Sequence, residues 1–264
     1  MKIPSFRKLN QGKYLSDVHI RNACELEQSG QPEEAISTLD KVVKRVRCKY
    51  PIYRKLAELH KNLRHFDAAQ ENLNKVLDIR PDDIESREMM LEIYLDKGEF
   101  DDAITQSRDL IRISPSSLSA RDVLYFAYLQ KGMLEKALQI TNELIKLDPL
   151  SPVNHYKRAF IHHEKGDISA AIHELSRVLE MSPDEEMEEE AVTALEQLDS
   201  YQIRHILMLA IEDFIFRAKL IRDPESAAME RGYFLSYSGM SMLRQIEFDD
   251  LPEIYTEWKQ RYYH

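Results

Sequence analysis

The chain has 264 residues, with 36 Lys and Arg against 46 Asp and Glu and a formal net charge of −10. Its 7 glycines are too few for the clustered phosphate loops of Rossmann or P-loop enzymes, and abundant Leu, Glu, Lys, Ala and Met favour helix. Two cysteines, Cys24 and Cys48, cannot alone build a disulfide framework or a four-ligand zinc site, and the acidic balance disfavours broad nucleic-acid binding.

Residues 1–15 form a basic arm, in which Lys2, Arg7, Lys8 and Lys13 give a charge of +4. The arm suits an acidic partner or lipid headgroups and lacks the apolar run of a signal peptide. No transmembrane segment is expected, because the most apolar stretch, Ile206 to Ile221, is interrupted by Glu212, Asp213, Arg217 and Lys219. These features predict a cytoplasmic, all-α protein.

From Ser16 onward the sequence repeats every 34 residues, in rows 16–49, 50–83, 84–117, 118–151 and 152–185. Pro81, Pro115, Pro149 and Pro183 keep one phase of this period, and Gly30, Gly98, Gly132 and Gly166 keep another. One column is alanine throughout: Ala35, Ala69, Ala103, Ala137 and Ala171. Seven residues beyond it stand Val42, Val76, Leu110, Leu144 and Val178, and one further on Val43, Leu77, Ile111, Ile145 and Leu179. That offset is two helical turns, so these columns share a face with the alanines. Leu56, Leu59, Leu63, Ile93 and Tyr94 supply the matching stripe in the first halves of their rows. Each row therefore predicts two amphipathic helices joined by a short turn. Glycine supplies the left-handed residue that ends the first helix. Acids such as Glu33, Asp67, Asp101 and Glu135 suit the N-terminus of the second, and proline stops it.

These residues resemble the tetratricopeptide repeat family over 16–185. The spacing of Tyr94, Gly98, Phe100, Ala103 and Pro115, and again of Tyr128, Gly132, Leu134, Ala137 and Pro149, is that of the family motif. Row two departs from it with Arg64 at the turn glycine, and row one with Arg47 at the proline. The small residue beside the helix crossing is Ala23, Ala57 and Ala159 in three rows but Leu91 and Tyr125 in the others. The resemblance implies a right-handed α-solenoid of five helix-turn-helix repeats, non-catalytic, whose first helices line a concave groove for a protein or peptide partner. Carried over by position, the groove residues are Arg54 and Lys55 in row two, Glu88 and Glu92 in row three, and Val123 and Phe126 in row four. Row five contributes Tyr156, Lys157 and Phe160. Clamping of a C-terminal carboxylate is disfavoured, because Glu58 and Glu92 replace the asparagine that one subtype uses.

The period stops after Glu185, and 186–264 reads as a helical extension. Its expected pieces are Glu186 to Leu198, Tyr201 to Arg222, a third opened by Pro224, and a last from Leu251 to Tyr263. The first has a polar face suited to capping a repeat array. In the second, Ile203, Leu207, Ala210, Phe214 and Ile221 form one stripe, widened by Ile206, Leu209, Phe216 and Leu220. So broad an apolar face packs within the extension or against another copy of the chain. His155, His162, His163 and His173 crowd row five without a metal motif, so no metal or cofactor is expected. The sequence thus reads as a protein-interaction scaffold. One alternative is an effector module in 186–264, with His205, Glu212 and Asp213 as its candidates, and another is self-association through 201–222.

Overall fold

In a computed structural model, the backbone is described for residues 6–249 and 251, and the side chains for 16–249 and 251. Every element among them is a helix. The chain divides into two compact units, Met1–Met133 and Leu134–His264, each considered by itself.

The first unit holds α1 (Phe6–Gln28), α2 (Pro32–Val43), α3 (Tyr50–Asn62), α4 (Phe66–Ile79), α5 (Ile84–Lys97), α6 (Phe100–Ile113) and α7 (Leu118–Gln130). Consecutive helices pack on one another, and first helices also meet, α1 with α3 and α5 with α7. Each core is built from a helix pair and the first helix of the next pair. Ala23, Ala35, Leu39, Ile52, Leu56 and Leu59 make one such core, and Ala57, Ala69, Leu73, Met90 and Ile93 another. The five column alanines are all fully buried, in both units. Replacing Ala103 by leucine is therefore expected to destabilise by ~1–3 kcal/mol through overpacking, read as a lower urea midpoint; an unchanged midpoint would refute this helix register.

The turns follow the period even where the residue does not. Gly30 and Gly98 adopt φ of 78° and 71°, and Arg64 in the same column adopts 58°. The Arg64 and His65 N–H groups donate to the Lys61 and His60 carbonyls, each at 2.8 Å, as those of Gly98 and Glu99 do to Leu95 and Tyr94. Row two thus holds a side chain in a conformation that disfavours one, with its guanidinium resting 5.4 Å from the Phe66 ring. Arg64→Gly removes that backbone strain but also a weak cation–π contact and some unfolded-state restriction. A net stabilisation of about 0.5–1 kcal/mol is expected, measured by chemical unfolding, and a loss would mean the ring contact dominates.

The second unit contains α8 (Leu134–Leu147), α9 (Pro152–Glu164), α10 (Ile168–Glu180), α11 (Glu185–Glu212), α12 (Phe214–Arg222), α13 (Pro224–Glu230) and α14 (Tyr237–Arg244). The last expected helix, beyond Leu251, lies outside the described residues. Where two helices were expected over 186–222 with a break near 199, α11 runs unbroken to Glu212. Nothing between Leu198 and Tyr201 stops it. Asp199 instead turns inward, 2% exposed, and accepts hydrogen bonds from the N–H (2.8 Å) and hydroxyl of Ser236. The break comes at Asp213, whose carboxylate caps α12 by accepting from the Phe216 N–H at 2.9 Å. This break resets the helical register. Phe214 and Ile221, expected in the buried stripe, are 71% and 47% exposed. Ile203, Ile206, Ala210, Phe216 and Leu220 are buried with Leu243 and Phe248. No helix among the described residues is long and apolar enough to cross a membrane.

Candidate functional site

In the first unit most of the positions expected to line a groove are already engaged by neighbours. Arg54 on α3 pairs with Glu85 on α5, and Lys61 with Glu92 on the same two helices. Lys55 is buried between Glu27 at 2.6 Å and Glu58 at 3.0 Å. Burial opposes its charge, but the hydrogen bonds to Glu27 and Glu58 outweigh that and hold its pKa above the ordinary value. Val123 is buried as well, so Lys55 and Val123, both expected to face the groove, offer a partner little surface. Glu88 is half-buried. Phe126 is 41% exposed, its ring edge-on to Phe100 with centroids 6.4 Å apart.

The row-five positions sit in a different setting. Ala159, Ala171, Leu175, Val178, Ala191 and Leu198 bind α9, α10 and α11 into one core. The first half of α11 thus completes the α9–α10 pair as a further first helix would. Both α9 and α11 pack on α10, and a cavity of ≈ 610 Å³ lies between them. Tyr156, Phe160 and His163 line it from α9, and Gln197, Tyr201 and Arg204 from α11, over a floor that includes Leu175 and Leu198. Phe160 and Tyr201 are 39% and 52% exposed, so apolar ring surface meets solvent inside a concave site. Tyr201 is steadied by His205, whose ring lies 4.5 Å away. A second hollow of ≈ 440 Å³ shares Tyr156, Ala194 and Gln197 with the first and is edged by Glu186, Glu189 and Glu190. Burial, and secondarily the charge of Glu190, pushes the Tyr156 pKa up. Lys157, the remaining row-five position, is half-buried.

Helix α9 is fixed from its other side. His155 is fully buried with Nδ1 2.8 Å from Glu174 Oε2, while Arg158 donates to Glu174 Oε1 at 2.7 Å and to Asn142 on α8 at 3.0 Å. Burial raises the Glu174 pKa, but the hydrogen bonds from His155 and Arg158 outweigh it and leave the carboxylate below its ordinary value. The crowded histidines of row five thus include one core residue bonded to a carboxylate. Among the described residues no group of three or more His, Cys, Asp or Glu is arranged to hold a metal.

Gln197, Tyr201 and Arg204 lie beyond the expected repeats of 16–185 and are not among the expected groove residues. With Ala194 they are spaced 3, 4 and 3 residues apart, one face of a continuous helix. That signal is readable only once α11 is known to pass through residue 199. Of the effector candidates, His205 lies tilted against the Tyr201 ring, and Asp213 caps α12 and pairs with Arg231.

The sequence profile of the tetratricopeptide repeat matches residues 50–83. No curated protein matches the chain. Among solved structures, MamA 41-end from Desulfovibrio magneticus RS-1 is similar with a TM-score of 0.56 and 20% identity, over 63% of this chain and 94% of that one. YrrB, described as a TPR protein with an unusual peptide-binding site, is similar with a TM-score of 0.54 and 17% identity, over 67% of this chain and 89% of its own.

Proposed function

We propose that this chain, whose residues 50–83 match the tetratricopeptide repeat and whose fold is similar to that of proteins built from it, is a scaffold for protein–protein interaction that acts without catalysis by docking a peptide or helical segment of another protein between α9 and α11. The observation that carries this reading is the preformed apolar cavity of ≈ 610 Å³ walled by Tyr156, Phe160 and Tyr201. Its size falls in the range of binding pockets, and exposed aromatic walls around a concave site are where anchor side chains dock. Burying one aliphatic or aromatic anchor there contributes ~1.5–3 kcal/mol. Because α9 is already held by the Glu174 network, little ordering cost falls on the receptor.

Affinity capture with the full chain tests the reading. The Tyr156→Ala, Phe160→Ala double variant is expected to lose the captured partner while keeping wild-type helicity. Full retention of that partner would reject the groove.

A second reading, self-association, is favoured by one specific feature. Met208, Phe214 and Ile215, around the α11–α12 corner, are 63%, 71% and 67% exposed, an apolar group that a solvated surface does not require. Sedimentation of wild type against Phe214→Asp, Ile215→Asp decides it, since a monomeric wild type would dismiss this surface as an interface between copies.

A further inference from the structure

The site between α9 and α11 has a polarity that the repeat pattern does not explain. Glu186, Glu189 and Glu190 are all exposed and stand along one edge of the hollow that continues from the apolar cavity through Tyr156, Ala194 and Gln197. Their spacing of 3 and 1 residues places them on one side of α11. Favourable interaction with the helix dipole accounts for acids in the first turn, here Glu185, Glu186 and Glu188, but it fades beyond that turn. It therefore does not account for Glu189 and Glu190. On α5, by contrast, Glu85 is matched by Arg54 and Glu92 by Lys61. Among the described residues no ion pair engages Glu186, Glu189 or Glu190. Their negative potential, unpaired at this edge, lies beside exposed apolar rings and is focused by the concave walls, with the Arg204 cation in the lining of the adjoining cavity.

We infer that this site selects a basic amphipathic peptide segment, one apolar anchor seated among Tyr156, Phe160 and Tyr201 with flanking Lys or Arg side chains over Glu186, Glu189 and Glu190. The inference rests on the groove reading of α9 and α11 and adds the chemistry of the partner. Charge complementarity of this kind sets specificity and encounter rate more than raw affinity, and long Lys and Arg stems can lie on the Tyr156 ring while their heads reach the carboxylates.

A random peptide library displayed against the immobilised full chain, in low salt, tests it. Enriched peptides are expected to share an apolar residue flanked by Lys or Arg. The best of them should bind the Glu186→Gln, Glu189→Gln, Glu190→Gln variant at least about tenfold more weakly, a difference that shrinks in high salt. The glutamine changes retain side-chain size and helix propensity, and circular dichroism of the variant checks the fold. Enriched peptides without basic bias that still lose binding to Tyr156→Ala, Phe160→Ala would overturn the inference and leave the groove standing. Peptides that bind that double variant undiminished would overturn both. So would enrichment of no peptide, or a concentration-dependent mass increase abolished by Phe160→Ala, which would assign the site to a second copy of this chain.

Discussion

Replacing Gly239 by alanine is expected to unseat α14 from α11 and to lower the stability of the second unit by about 3 kcal/mol or more. A Cβ at this position would lie 2.2 Å from the Asp199 Cγ and 2.5 Å from both of its carboxylate oxygens. Asp199 has nowhere to retreat. It accepts from the Ser236 N–H and hydroxyl, and Ser236 in turn caps α14 by accepting from the Gly239 N–H at 3.1 Å. One turn further along α11, Gln202 exchanges two hydrogen bonds with the Phe234 backbone, donating at 2.5 Å and accepting at 2.9 Å. Shifting α14 thus strips partners from a buried carboxylate as well as opening the core around Leu243. Hydrogen exchange should locate the loss in 233–248, with the α9–α10 region protected as in wild type. Asp199→Ala removes the obstructing atoms, so the double variant should be more stable than the sum of the two losses predicts. Strict additivity would show that the clash is not the cause.

The second large effect is expected at Glu174. Truncation to alanine leaves His155 buried without its partner and frees Arg158 from its best acceptor, at a cost of about 3 kcal/mol. The pH dependence has a defined sign. The folded carboxylate titrates below its ordinary value, so its contribution is complete above the ordinary glutamate range, near 4.5, and is lost as pH falls through the lower folded value. Wild type should therefore lose stability on acidification below about pH 4.5 more steeply than Glu174→Gln does. Parallel acid unfolding curves would remove Glu174 from the account. Because the same carboxylate positions α9, Glu174→Ala should also weaken partner binding at neutral pH without altering any cavity-lining side chain.

The sequence made the repeat legible because its strictest columns answer to one cause each. Alanine marks a helix crossing with no room, and Ala35 through Ala171 are all fully buried. The glycine column marks a left-handed turn. Arg64 shows that the column position and not the residue dictates the turn, since the chain bends there at φ 58° all the same. A column of lysines keeps the same period. Lys97, Lys131 and Lys165 recur at the same period and pair with Asp67, Asp101 and Glu135, so the end of each of these first helices is tied to the start of the preceding second helix. Ion pairs of this kind leave no mark on the apolar spacing that defines the helices.

The extension resisted the same reading because its structure depends on tertiary contacts. Asp199 and Ser200 look like a stop signal, yet Asp199 serves Ser236, thirty-seven residues away. A break there would let one unbroken stripe run from Ile203 to Ile221 and place Phe214 in the core. Capping by Asp213 moves the break and turns Phe214 outward. The candidate site was half legible for the same reason: Tyr156 and Phe160 follow from their place in the repeat, whereas Tyr201 and Arg204 become their neighbours only when α11 continues. Lys55 shows the converse limit. Its position in the pattern is that of a groove residue, but Glu27 and Glu58 draw it inward.

A photo-crosslinking side chain placed at Gln197 tests the central claim most directly, because that residue borders both the apolar cavity and its acid-edged continuation. The same group at His173, exposed on α10 and outside the cavity, is the control. Irradiation of the full chain in its native cell should give a covalent adduct with one partner protein from position 197 and none from position 173, and the adduct should disappear with Tyr156→Ala, Phe160→Ala. An adduct formed only from position 173, or one from 197 that survives loss of both aromatic side chains, would contradict the account.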